Sequence, residues 1–94
     1  MEQIETQILF VRNLPKDISK DKIIELFGDY GRVIQIRIGV EKSTAGSAFV
    51  VYDRVSGARK AIKRMNGYYL DNMYLNVGYW QPFDKFRLMM KRKQ

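Results

Sequence analysis

The sequence predicts an α+β fold with the element order β-α-β-β-α-β, on three observations. Four segments alternate apolar and polar or small residues with a period of two, as half-buried strands do. Two segments between them repeat apolar residues at helical spacing. No linker, internal repeat or low-complexity run separates the six, and 94 residues suffice for one modest core.

The first strand is expected over Gln7 to Arg12, with Leu9 and Val11 on one face and Ile8, Phe10 and Arg12 on the other. Asn13-Leu14-Pro15-Lys16-Asp17 reads as a turn, because Pro15 has no N–H to extend a ladder. Ser19 is placed to cap a helix whose positive end Asp21 complements. That helix carries Ile23, Leu26, Phe27 and Tyr30, with Gly28 and Gly31 helping to end it. Val33 to Val40 is a β-branched second strand, with Ile34, Ile36 and Ile38 expected inward and Gln35 and Arg37 outward. After the polar loop Glu41 to Gly46, Ser47 to Tyr52 forms a third strand. Val55, Ala58, Ala61, Ile62 and Met65 make a second helical stripe, capped by Asp53 and ended at Asn66-Gly67. The fourth strand is expected over Tyr74 to Tyr79, with Leu75 and Val77 inward. This order is the split βαβ arrangement, in which two helices cover one face of a four-stranded antiparallel sheet and leave the other open.

A final short helix is expected after Pro82, carrying Phe83, Phe86 and Met90 on one side. It is too short to stand alone, so its stripe must pack on the open sheet or on a partner. The organisation expected is a tail over 1–6, the domain proper over 7–80, and the last helix with a basic end over 81–94.

Composition narrows the chemistry. The absence of cysteine and histidine removes disulfides, thiolate or imidazole metal ligands and imidazole catalysis, and neither a metal nor a cofactor is expected. An enzyme on the same scaffold, such as a small acylphosphatase-like hydrolase, has only Arg12-Asn13 in its favour and lacks a phosphate-cradling loop. The start, Met1 to Thr6, is polar and does not read as a signal peptide, and no apolar run reaches membrane-spanning length. No membrane and no small-molecule substrate is therefore expected. The net charge of +7 suits a polyanion. From Pro82 onward five basic residues face one acidic residue, so a solubilising basic tail explains much of that charge as readily as phosphate binding does.

The open face carries the functional argument. Alternation turns Ile8, Phe10, Arg12, Gln35, Arg37, Ser47, Phe49, Val51, Tyr74, Asn76 and Gly78 outward. For Phe10 and Phe49 to be core residues, both strands would have to slip by one, which would put Leu9, Val11, Ala48 and Val50 in water. An exposed ring costs solubility unless something docks on it, and a nucleotide base stacks there with about 1–3 kcal/mol. Arg12 and Arg37 are suited to phosphates or to stacking, and Asn76 completes the RNA-facing set. Ile8 and Val51 instead make one side of the face greasy, which is more typical of a protein interface. Gly28-Asp29-Tyr30-Gly31 is read as a helix terminator rather than a backbone clamp. Met89 and Met90 are read as helix packing, and Trp80 as the seat of the last helix in preference to a base-stacking ring.

Ile8-Leu9-Phe10-Val11-Arg12-Asn13-Leu14-Pro15 and Gly46-Ser47-Ala48-Phe49-Val50-Val51-Tyr52 resemble the two signature strands of the RNA recognition motif (RRM) family. The resemblance implies that the first and third strands are central and adjacent, with Phe10 beside Phe49. The family's RNP1 pattern is met at six of the eight positions Ala45 to Tyr52; Ala45 stands where a basic residue is usual and Ser47 where an aromatic is usual. Both departures weaken autonomous RNA binding.

A narrower resemblance, to the small RRM subunit of splicing factor 3b, rests on those strands. It rests also on Ile24-Glu25-Leu26-Phe27-Gly28-Asp29-Tyr30-Gly31, Ile34-Gln35-Ile36-Arg37-Ile38-Gly39 and Tyr74-Leu75-Asn76-Val77. It implies a nuclear subunit of the U2 snRNP. Its implied RNA partners are the pre-mRNA branch-site region, whose adenosine would sit on Phe10, and U2 snRNA as a second candidate. It further implies that a segment of the large scaffold subunit lies across the sheet, with Val51, Phe49, Tyr74, Phe83 and Phe86 in suitable places; Ile8 and Met90 join that set from the apolar pattern. The family usually has tyrosine at the place of Phe10, and longer extensions at both ends whose contacts are not expected of this sequence. The alternative is an autonomous binder of single-stranded RNA.

Overall fold

The computed structural model describes residues 4–81. Strand β1 (Ile8–Arg12) leads to helix α1 (Lys20–Phe27), a 3-10 turn (Gly28–Tyr30), strands β2 (Val33–Ile38) and β3 (Ala48–Tyr52), and helix α2 (Val55–Met65). Two short strands, β4 (Tyr69–Leu70) and β5 (Met73–Tyr74), precede β6 (Asn76–Tyr79). The main sheet is antiparallel with the order β2-β3-β1-β6, so β1 and β3 are its centre. The expected last helix, with Phe83, Phe86 and Met90, lies outside the described residues.

One face of the sheet makes the core. Leu9, Val11, Val50, Tyr52, Leu75 and Val77 are buried against Ile23 and Phe27 of α1 and Ala58, Ala61 and Met65 of α2. Helix α1 starts as expected: the Ser19 hydroxyl oxygen accepts from the Lys22 N–H at 3.1 Å. The link from the 3-10 turn to β2 passes close to α2. A Cβ on Gly31 would lie 2.9 Å from the Cα of Gly57, so both positions need glycine for the close approach.

Three expectations are corrected. Ile34 is 55% exposed, because the β2–β3 register shifts between Val33 and Gln35. Ile34 is the extra residue of a bulge, and Val33 takes its place against the core. Asp53 does not cap α2; Arg54 is the first flanking residue and makes no side-chain capping bond. The backbone of Asp53 is already committed, its N–H donating to Arg32 and its carbonyl accepting from the Gln7 amide.

The third correction concerns Tyr74, which is not in the sheet. Asp71 and Asn72 both have positive φ, 48° and 71°, and close a tight hairpin that pairs Tyr74 with Tyr69. The sheet strand therefore begins only at Asn76.

Candidate nucleic-acid interface

The register lines up the open face in rows. One row runs Arg37, Phe49, Phe10, Gly78 from β2 to β6, because Arg37 pairs with Phe49, Phe49 with Phe10, and Phe10 with Gly78. The next holds Gln35, Val51 and Ile8. On the other side, Arg12 pairs with Asn76, both exposed. Leu9 and Val11 are fully buried, so strand alternation turns the Phe10 ring away from the helices.

The rings of Phe10 and Phe49 are 5.0 Å apart, tilted by 38°. Trp80 joins them, 5.8 Å from Phe10 and 5.0 Å from Phe49, the latter edge-on. The Trp80 N–H donates to the Ile8 carbonyl at 2.8 Å, and its own carbonyl accepts from the Thr6 hydroxyl at 2.7 Å. These bonds continue the β1–β6 pairing by one residue and put the indole on the open face. The last helix that Trp80 is expected to seat lies outside the described residues, and Trp80 itself stands among the sheet rings. The signal was present: the outward positions 76 and 78 extend by the same period to 80.

Trp80 lies between two concavities. A basin of about 690 Å³ is lined by Phe10, Phe49, Trp80, Arg12, Arg37 and Asn13, with the loop Gly39–Ser47 as its wall. A smaller hollow of about 200 Å³ is lined by Ile8, Gln35, Arg37, Phe49, Val51 and Trp80. Among the described residues, neither Arg12 nor Arg37 is in a salt bridge. Gly78 leaves the β6 flank of Phe10 uncovered, since a Cβ there would meet nothing within 4 Å.

The residues expected to face RNA thus divide. Phe10, Phe49, Arg12 and Arg37 line one basin; Asn76 stands beside Arg12 without lining it. Of the residues expected to face a protein, Ile8 and Val51 share the hollow. Tyr74 is apart from them, 64% exposed and with its ring 5.0 Å from that of Tyr69. The sequence reading also missed Asn13. It has φ 69° and its side-chain amide donates to the Tyr74 carbonyl at 3.0 Å, tying the hairpin to the basin rim.

The wall of the basin is held from within. The Gly39 N–H donates to the Ser47 carbonyl at 2.9 Å, and the N–H groups of Thr44 and Ala45 donate to the Glu41 carbonyl. Ser47, at the place of the missing RNP1 aromatic, turns its hydroxyl to the Thr44 carbonyl at 2.6 Å. What this surface offers is stacking and cation contacts. Among the described residues no group of acidic side chains could hold a metal.

The chain matches the model of the RNA recognition motif family over residues 9–76. It is 44% identical over 75 residues to a splicing factor 3B subunit 6-like protein of Arabidopsis thaliana, which covers 80% of this chain and 60% of that protein. It is 40% identical over 89 residues to splicing factor 3B subunit 6 of Drosophila melanogaster, covering 94% of this chain and 74% of that one. The chain therefore spans about three fifths of the first relative's length and three quarters of the second's. Among solved structures, the Sxl-lethal protein in a protein–RNA complex is 34% identical with a TM-score of 0.69, over 77% of this chain and 46% of that one.

Proposed function

The chain belongs to the RNA recognition motif family, in the group of splicing factor 3B subunit 6, and on that premise we propose that it is a nuclear RNA-binding subunit of the splicing factor 3b complex in the U2 snRNP. Its RNA would be the branch-site region of pre-mRNA. The branch-site adenosine stacks on Phe10 in the basin, with Phe49 beside it and Arg12, Arg37 and Asn76 toward phosphates and base edges. A segment of the large scaffold subunit docks on the hollow at Ile8 and Val51 and continues to Phe83, Phe86 and Met90. The function is binding, not catalysis.

The observation that carries this reading is the partition of the open face. A basin that adds Arg12 and the Phe10 ring suits a nucleotide, a hollow that adds the aliphatic Ile8 and Val51 suits a polypeptide, and the two share Arg37, Phe49 and Trp80. The test uses two variants and two ligands. Phe10→Ala is expected to weaken binding of an adenosine-containing RNA by about 1–3 kcal/mol and leave capture of the large scaffold subunit from nuclear extract unchanged. Val51→Asp is expected to lose the scaffold subunit. Retention of that subunit by Val51→Asp would remove the hollow as its docking site.

A second reading, an autonomous single-stranded RNA binder, is favoured by one observation. Trp80 supplies a third ring beside Phe10 and Phe49, where the RNP1 pattern lacks one at Ser47. Nanomolar RNA binding by the isolated chain, with no affinity for the scaffold subunit, would select it.

A further inference from the structure

The basin does not end at the sheet. Its rim at Arg37, Ile38, Gly39, Val40 and Ala45 is also the rim of a groove of about 610 Å³ along the outer side of β2. The far wall of that groove is Lys16, Ile18 and Lys20, with Asp17 as its single carboxylate. Arg37 lines the basin, the hollow and the groove together, so it stands on the crest between them. Lys16 and Lys20 are exposed, and among the described residues neither is in a salt bridge.

We propose that this groove holds the sugar–phosphate backbone of the nucleotides next to the one seated in the basin. Arg37 takes the phosphate at the crest, and Lys16 and Lys20 take those beyond it. The proposal rests on the reading of the basin as a base site. A strand leaving that site past Arg37 descends over the β2 edge, where three cations face one carboxylate. Ammonium groups on long flexible stems follow a phosphate backbone without reading sequence, and the apolar Ile36 and Val40 side chains can take ribose faces. The groove therefore adds affinity and salt dependence, not base specificity.

The experiment compares two RNAs on the full chain by fluorescence anisotropy across a salt series: an adenosine-centred trinucleotide and a nonanucleotide that contains it. In the Lys16→Gln/Lys20→Gln double variant, the nonanucleotide is expected to weaken about three- to tenfold at low salt. Its log–log salt slope should become shallower by about 1.4, two phosphates at roughly 0.7 each for a single strand. The trinucleotide, which fills only the basin, should keep its affinity within about twofold. An unchanged slope for the nonanucleotide, or equal loss for both lengths, overturns the proposal. So does a glutamate-rich peptide that binds the wild type and is lost by the double variant while the nonanucleotide slope stays the same; the groove would then belong to a polypeptide. Failure of the basin itself reads out separately. A trinucleotide indifferent to Phe10→Ala would remove the base site, and the groove's assignment with it.

Discussion

The Tyr52 hydroxyl donates to the Phe27 carbonyl at 2.7 Å, joining the end of β3 to the end of α1 inside the core. Burial pushes its titration well above the ordinary tyrosine range, with nearby Tyr30 adding to the shift. The unfolded chain loses that proton near pH 10, while the folded chain keeps it to higher pH. Above about pH 10 the unfolded state therefore binds fewer protons, and stability falls as pH rises. The stabilisation is complete below that point. Tyr52→Phe is expected to cost about 0.5–1.5 kcal/mol at pH 7, because it removes a buried hydrogen bond to the Phe27 carbonyl. Chemical denaturation at pH 7 and at pH 10 to 11 checks both statements. The variant should start lower and lose less stability over the alkaline range than the wild type. Parallel alkaline losses in the two proteins would show that other groups govern the decline.

At the scale of elements, the loop between β2 and β3 depends on one glycine. A Cβ on Gly39 would collide with the Thr44 carbonyl, so Gly39→Ala must push the loop outward. Since that loop walls the basin, RNA affinity is expected to fall several-fold while the thermal midpoint, set by the core beneath, changes by only a few degrees. Amide NMR shifts confined to residues 39–47, with an RNA titration on the same sample, provide the check. Unchanged affinity with a displaced loop would mean the wall makes no contact. The elements themselves differed in how legible they were. In β1 and β3 alternation alone assigned Phe10 and Phe49 to the open face, because buried neighbours on the opposite face left no second register. In β2 the same alternation misled: Ile34, Ile36 and Ile38 look equivalent, and nothing local marks the bulge that turns Ile34 out. The β4–β5 hairpin was missed because two-residue strands carry no period, although Asp71-Asn72 was a usable turn signal. Trp80 extends the outward period of Asn76 and Gly78, and the bond from its N–H to the Ile8 carbonyl fixes it beside Phe10 and Phe49.

The whole molecule presents one sheet face that two ligands are proposed to share, and its behaviour depends on whether that face is one surface or two. The rings of Phe10, Phe49 and Trp80 touch in a triangle, so a large ligand on one side could in principle disturb the other through them. Two features oppose that. The ring cluster rests on a sheet whose buried face is fully packed, so it has little room to tilt. The indole is also held through its backbone at both ends, from Ile8 and from Thr6. With Trp80 in place, the losses from Phe10→Ala and Val51→Asp should therefore add for RNA and for the scaffold subunit alike, within about 0.5 kcal/mol, as expected of sites whose shared rings stay in place. Trp80→Ala opens the basin into the hollow. It is expected to weaken RNA by about 1–3 kcal/mol through the lost ring, and to make the Val51→Asp and Phe10→Ala effects non-additive on the merged surface. Calorimetric titration of each ligand against the single, double and triple variants measures the coupling directly. Non-additivity already present with Trp80 intact would mean that RNA and polypeptide compete for a single undivided patch. Binding of one would then exclude the other.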